Sequence, residues 1–392
     1  MNGMCMQPGT ITNVIYNLIL GSWLLVLGYV RNRKAIFCLI LQFNSNLMED
    51  ILLPADFLEQ SRGAVIIDVR TPSEFLSGHI PGAVNLSLFT DEERAEVGTL
   101  YVKEGKERAV EKGLERVGPK LASFVIKARQ LSDGKPLFLY CWRGGMRSAS
   151  MAWLFRTAGI RTFLLQDGYK AYRHAFQQLL EEYPWNLIVL GGPTGCGKTD
   201  ILHHLKTTGH QVIDLEGLAH NKGSAFGYLG EAEQPTTEQF GNELHFCMRN
   251  FDPGKPVWCE GESISIGKVF IPKEFYAKML SGLFIQFELS RPFRVKQILK
   301  DYGQFTVEEL IASFSKLERR LGGEATSRAI KHITQEELEE AIEIALRYYD
   351  KGYEKSTLKL WPVINTYVAT TNNLKTSTLG LLEFYNTISK EK

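Results

Sequence analysis

The sequence predicts an α/β protein of two domains, each a mostly parallel sheet flanked by helices, with a helical C-terminal part. Three observations lead there. The chain has 392 residues, which is long for one ordinary core and natural for two. Short apolar runs alternate with helical stretches through the first half, the pattern of a parallel sheet covered on both faces. A second strand pattern then begins at LIVLGG and runs straight into a glycine-rich phosphate-binding loop, GGPTGCGKT.

In chain order, residues 1–47 form a hydrophobic extension. Val14 to Val30 (VIYNLILGSWLLVLGYV) lacks charge, RNRK follows, and AIFCLILQF continues the apolar character. The run sits near the lower length limit of a membrane span, roughly 17 residues. Basic residues after it would favour a cytoplasmic downstream chain. No basic stretch precedes it and no small-residue cleavage site follows, which speaks against a signal peptide. The favoured expectation is a mis-assigned start, with translation beginning at Met48; a membrane anchor is the alternative.

From Leu52 to Tyr183, AVIIDV, PLFLYC and TFLLQ read as buried strands bounded by turn residues. ERAVEKGLERVGPKLASFVIKARQL reads as amphipathic helix broken at Gly118-Pro119. EEYPWN, Glu181 to Asn186, is the expected boundary, giving a first domain over 48–183 and a second over 184–392. The second domain has strand patterns at QVIDLE, PVWCEG and LFIQFEL, then helical patterns at TVEELIASFSKLERRL and TQEELEEAIEIALRYYDKGY.

Composition excludes several classes. The chain is 44% hydrophobic and 23% charged, ordinary for a globular protein, and its formal net charge of +1 gives no global nucleic-acid signal. Six cysteines lie far apart without a Cys-x-x-Cys pair, which suggests neither a zinc site nor a disulfide framework and fits free thiols in a reducing cytoplasm.

Two loops carry chemistry. In YCWRGGMRS, Cys141 ends a strand and opens a loop before a helix, where backbone N–H groups and the helix dipole favour a thiolate. Arg143 and Arg147 add positive charge, and Gly144 and Gly145 let the backbone curl around an anion. On its own the loop admits a sulfur or selenium carrier, a cysteine phosphatase of the C-x5-R-[ST] pattern, or an inert buried thiol. In the second loop, Gly192, Gly195 and Gly197 shape a cradle, Lys198 neutralises phosphate oxygens, and Thr199 can ligate a magnesium ion. Cys196 inside it is incidental. Asp214, Glu260 and Glu262 are the candidate acidic partners for the metal. ATP is the default occupant, but a lipid diphosphate offers the same handle.

DVRTPSEFLSGHIPGAVNL, Asp68 to Leu86, resembles the rhodanese signature, with both of its motifs in the right order before Cys141. That resemblance implies a cysteine carrying sulfur or selenium. Asp68 and Arg70 read as buttresses of the sheet and loop in preference to reacting groups, and His79 as a turn residue in preference to a base. The loop is one residue longer than in many sulfurtransferases. Together with DEERAEVGTLYVKEGKERAVEKG, GGPTGCGKT and DLEGLAHNKGSAFG, the chain from Met48 onward resembles the bacterial tRNA 2-selenouridine synthase family.

The resemblance implies a rhodanese domain followed by a P-loop NTPase-like domain, and a two-stage reaction on the wobble 2-thiouridine of tRNA. Geranyl diphosphate alkylates the sulfur, and selenophosphate then supplies selenium as the S-geranyl group leaves. It implies Cys141, Arg143 and Arg147 as the selenium site, the P-loop as the diphosphate site, no tightly bound cofactor, and no named protein partner. An ATP-dependent tRNA sulfurtransferase is the alternative enzyme, and an anion-sensing protein the alternative outside enzymes. For tRNA contact the basic candidates are Arg291, Arg294, Lys296, Lys316, Arg319, Arg320 and Arg328. AHNKGSAFGYLG reads as a substrate loop, and Trp142 either stacks on a substrate or packs the cysteine loop.

Overall fold

The computed structural model describes residues 50–224 and 226–390. The hydrophobic extension and the start at Met48 lie outside the described residues. Among the described residues no helix is long and apolar enough to cross a membrane. The chain divides into two compact units, one holding residues up to Pro72 and Gly82–Ala171, the other Ser73–Pro81 and Tyr172 onward.

The first unit runs β1 (Ile51–Leu52), α1 (Pro54–Gln60), β2 (Val65–Asp68), then, after α2 (Pro72–Ser77), β3 (Val84–Asn85), α3 (Asp91–Lys103), α4 (Lys106–Val117), a 3-10 turn (Gly118–Lys120), α5 (Leu121–Ser132), β4 (Leu137–Tyr140), α6 (Met146–Thr157) and β5 (Thr162–Leu165). Helix α7 (Gly168–Glu182) crosses into the second unit. The helical stretch breaks at Gly118-Pro119, as the missing proline N–H dictates. The strand order is β1-β5-β4-β2-β3, and every pairing is parallel. Strand β4 lies at the centre with all four residues buried, which is why PLFLYC reads as a continuous apolar run. Ile67, Val69, Leu139, Met151 and Phe155 form the core that fixes the carboxyl end of β4, where Cys141 sits.

The second unit continues with β6 (Leu187–Gly191), α8 (Lys198–Thr207), β7 (Gln211–Ile213), α9 (Leu215–Ala219), α10 (Thr237–Met248), β8 (Val257–Glu260), β9 (Ser265–Ile266), β10 (Val269–Phe270), α11 (Lys273–Ser281), β11 (Leu283–Leu289), α12 (Arg291–Tyr302), α13 (Val307–Lys316), α14 (Glu318–Leu321), α15 (Gly323–Thr334), α16 (Leu338–Leu360), β12 (Asn365–Ala369) and α17 (Leu374–Lys390). Its main sheet, β12-β11-β6-β8-β7, is also all parallel, with β6 central and buried throughout. Ligands of open parallel sheets bind beyond the carboxyl ends of central strands. Both β4 and β6 therefore end in the loop that the sequence marks as chemical. Helices α13 to α16 build a separate apolar cluster around Leu310, Phe314, Ala329 and Ile333.

Candidate functional site

Cys141 is buried, and its Sγ lies 3.2 Å from the Ser148 hydroxyl and 3.9 Å from the Gly145 carbonyl. The loop turns back into α6, which starts at Met146 with Gly145 as its N-cap. The open N-terminal N–H groups of that helix therefore lie in the segment directly following the cysteine. Two backbone bonds hold the loop from the start of α7. Tyr169 N–H donates to the Cys141 carbonyl at 2.8 Å, and Lys170 N–H donates to that of Trp142 at 3.0 Å. Gly168, with φ of +61°, makes this approach feasible. A Cβ there would press on the Cys141 carbonyl oxygen and lie 2.5 Å and 2.9 Å from the Gly144 and Arg143 nitrogens.

Asp68 and Arg70 are buttresses. Arg70 is buried and binds both Asp68 carboxylate oxygens, with Nη2 at 2.7 Å. Its guanidinium lies 3.9 Å from the Tyr169 ring centre and 5.8 Å from that of Trp142, bracing both sides of the loop. Burial opposes the charge, but the Asp68 carboxylate outweighs it and holds Arg70 above the usual arginine range. Trp142 packs on Tyr169 with ring centres 5.7 Å apart and keeps part of its surface exposed, at 37%. Arg143 is exposed and Arg147 half-buried on the first turn of α6. His79 is a turn residue: its Nδ1 bonds the Phe75 carbonyl at 2.9 Å, and its ring stacks on Phe75.

The phosphate loop spans the end of β6 and the start of α8. Gly197, at φ of +85°, is the left-handed residue that turns the chain into the helix. Lys198 Nζ donates to the Gly192 carbonyl at 2.9 Å, closing the loop on itself. Burial alone would lower this amine, yet nearby Cys196, Glu216 and Glu262 keep it above its ordinary value. Cys196 is buried, and burial pushes its thiol up, the behaviour of a packing residue. Thr199 Oγ1 donates to Glu216 Oε2 at 3.0 Å.

The three acidic candidates therefore separate, and the carboxylate against Thr199 is a fourth. Asp214 caps α9 by accepting from Gly217 N–H at 2.7 Å and pairs with His203 Nε2 at 2.6 Å. Glu260 is fully buried and accepts from Leu215 N–H at 2.8 Å; burial and the neighbouring Asp214 and Glu216 raise its carboxyl far above the usual range. Glu262 belongs to the site: burial first, and then Glu216, push it up to about 8, against the pull of Lys198. Glu216 stands two residues after Asp214 in the same DLEG stretch. Its signal in the sequence was position on the first turn after β7, which the capping aspartate overshadowed.

The basic candidates also separate. Arg294 is buried, donating to the Thr194 carbonyl at 2.9 Å and to Asp350 at 2.6 Å, so it braces the phosphate loop instead of facing RNA. Arg291 pairs with Glu343 at 2.6 Å. Lys316 lies over the Tyr228 ring at 3.8 Å. Lys296, Arg319, Arg320 and Arg328 are exposed. Among the described residues no group of three or more His, Cys, Asp or Glu side chains is arranged to hold a metal ion by itself.

Two family models match the chain, a rhodanese-like domain over residues 54–175 and a tRNA 2-selenouridine synthase AAA domain over residues 185–364. Proteins named tRNA 2-selenouridine synthase are similar to it. One from Bdellovibrio bacteriovorus is 40% identical over 60% of this chain and 64% of its own length. One from Nitrosomonas europaea is 36% identical over 60% of this chain and 63% of its own length. One from Pseudomonas putida W619 is 36% identical over 67% of this chain and 77% of its own length. The chain thus spans somewhat less than two thirds of the first two relatives and about three quarters of the third.

Proposed function

We propose that this chain, which belongs to the tRNA 2-selenouridine synthase family, converts wobble 2-thiouridine in tRNA to 2-selenouridine through an S-geranyl intermediate. The observation that supports this best is a glycine-rich cysteine loop and a phosphate loop, each at the carboxyl end of a central strand in its own unit.

In the first stage the thiouridine sulfur attacks C1 of geranyl diphosphate, and the C–O bond to diphosphate breaks. The P-loop N–H groups, Lys198 and Thr199 hold the departing diphosphate, stabilising charge where it develops. Thr199 and Glu216, a hydroxyl and a carboxylate 3.0 Å apart, are hard oxygen donors suited to magnesium. Bound there, the ion would neutralise the leaving group. In the second stage selenium from selenophosphate bonds to C2 of the uracil, the C2–S bond breaks, geranyl thiol leaves, and water takes up the phosphoryl group. Alkylation turns a poor leaving group into a good one, splitting one hard displacement into two easier ones. Cys141 assists the delivery by orienting the selenophosphate selenium toward C2 without bonding to it, with Arg143 and Arg147 holding the selenophosphate oxygens. Lys296, Arg319 and Arg320 remain the candidates for tRNA phosphate.

A pair of variants tests the division of labour. Cys141→Ala is expected to accumulate S-geranyl-2-thiouridine in tRNA and form no 2-selenouridine. Lys198→Ala is expected to slow geranylation at least a hundredfold. Normal geranylation by Lys198→Ala would refute the P-loop assignment, and loss of both stages in Cys141→Ala would leave that residue a structural part only.

A further inference from the structure

The stretch DEERAEVGTLYVKEGKERAVEKG takes no part in the chemistry above, yet it lines a cavity in the first unit. Helices α3 and α4 pack as a pair, and with the start of α6 they line a solvent-open cavity of about 900 Å³. That is the size of sites that engulf a small organic ligand. Its floor is aliphatic, from Leu88, Val97, Val110 and Val117, with Val102 and Leu114 at the exposed edge. Four charged residues line it, Arg94, Lys103, Lys106 and Arg147, and every one is cationic. This holds although the same two helices are rich in glutamate, whose side chains pair elsewhere, as Glu96 does with Arg116 and Glu93 with Lys120. The Arg94 guanidinium lies over Gly98, where a Cβ would collide with it. Met146, Arg147 and Ser150 bring the first turns of α6 into the wall, so the cavity shares its helix with the Cys141 loop.

An apolar floor with an all-cationic lining fits an aliphatic chain attached to an anionic carrier. We propose that this cavity binds the geranyl group of S-geranyl-2-thiouridine while it is still attached to tRNA, with Arg94, Lys103 and Lys106 meeting the RNA phosphates and Arg147 left to the selenophosphate. The inference rests on the reading above and adds a site to it: the chain is gripped beside the cysteine during selenation, independently of the P-loop that binds geranyl diphosphate. Free geranyl diphosphate has the same chemistry, and the test separates the two.

The full-length protein is given pre-geranylated tRNA and selenophosphate, and, in a second reaction, 2-thiouridine tRNA and geranyl diphosphate. Val102→Glu and Leu114→Glu place a carboxylate at the exposed edge with little demand on the fold; Leu114→Ile is the conservative control. Selenation is expected to fall at least tenfold in both Glu variants and to persist in Leu114→Ile, with geranylation unchanged. A fall in geranylation alone would assign the cavity to free geranyl diphosphate and overturn the proposal, as would unchanged selenation. If the wild-type protein selenates nothing, the underlying reading fails. The cavity is then judged by displacement of the fluorescent apolar anion anilinonaphthalene sulfonate with S-geranyl-2-thiouridine monophosphate. Displacement from wild type but not from Leu114→Glu sustains the site, and no displacement from wild type overturns it.

Discussion

Gly168→Ala is the most informative single-atom-scale perturbation of the cysteine loop, because one methyl group meets three backbone atoms at once. Alanine at φ of +61° carries about 1–2 kcal/mol of left-handed strain. The new Cβ would also stand 2.5 Å from the Gly144 nitrogen and against the Cys141 carbonyl, so the start of α7 must back away. Backing away breaks the bonds from Tyr169 N–H and Lys170 N–H to the loop, each worth about 0.5–1.5 kcal/mol. The sum is about 2–5 kcal/mol, enough to lower the melting temperature of the first unit on the order of 10 °C. Scanning calorimetry of the full chain reads that shift, and nucleoside mass spectrometry reads the two reaction stages. Selenation should fall more than tenfold, with geranylation within about twofold of wild type. A Gly168→Ala protein that melts and selenates like wild type would refute the account of how the loop is held.

Glu216→Gln keeps the hydrogen bond to Thr199 but removes a hard anionic donor, so diphosphate-dependent geranylation should fall at least tenfold while the fold is retained; Asp214→Asn should show no comparable loss. Glu262 is raised to about 8 from an ordinary value of 4.5, so between those values the folded protein holds a proton the unfolded chain has released. Its contribution to stability therefore falls as pH rises from about 4.5 to 8, by up to about 1.4 kcal/mol per pH unit, and levels off above 8. Urea unfolding of Glu262→Gln against wild type from pH 5 to 9 should show a flatter dependence in the variant. Arg70→Lys cannot reproduce the two-pronged contact with Asp68 and is expected to cost about 2–4 kcal/mol, since it weakens a fully buried ion pair.

Much of this architecture is legible before any coordinates. The buried central strands β4 and β6 are uninterrupted apolar runs, because both faces of a parallel sheet are covered, and each ends in a glycine-rich loop. What stays hidden has physical reasons. Strands β1 and β3 are two residues long, too short to show a period, and exist only through their neighbours in the sheet. Strand β12 alternates exposure at the sheet edge and has no flanking motif. Glu216 and Asp214 share a short stretch of two carboxylates, and which one meets Thr199 depends on how α9 is capped. Arg294 looks like any other cation in SRPFRVKQILK, since burial against Thr194 and Asp350 depends on α16, more than fifty residues on. Gly168 carries no motif, because its role is a close approach between two loops distant in sequence.

Alkylation and selenium exchange at two sites, as proposed, would need no nucleotide hydrolysis. Purified protein, 2-thiouridine tRNA, geranyl diphosphate and selenophosphate, incubated without ATP and followed by nucleoside mass spectrometry, test it most directly. S-geranyl-2-thiouridine should appear first and decline as 2-selenouridine accumulates. A product that forms only when ATP is added, or 2-selenouridine formed without geranyl diphosphate, would contradict it.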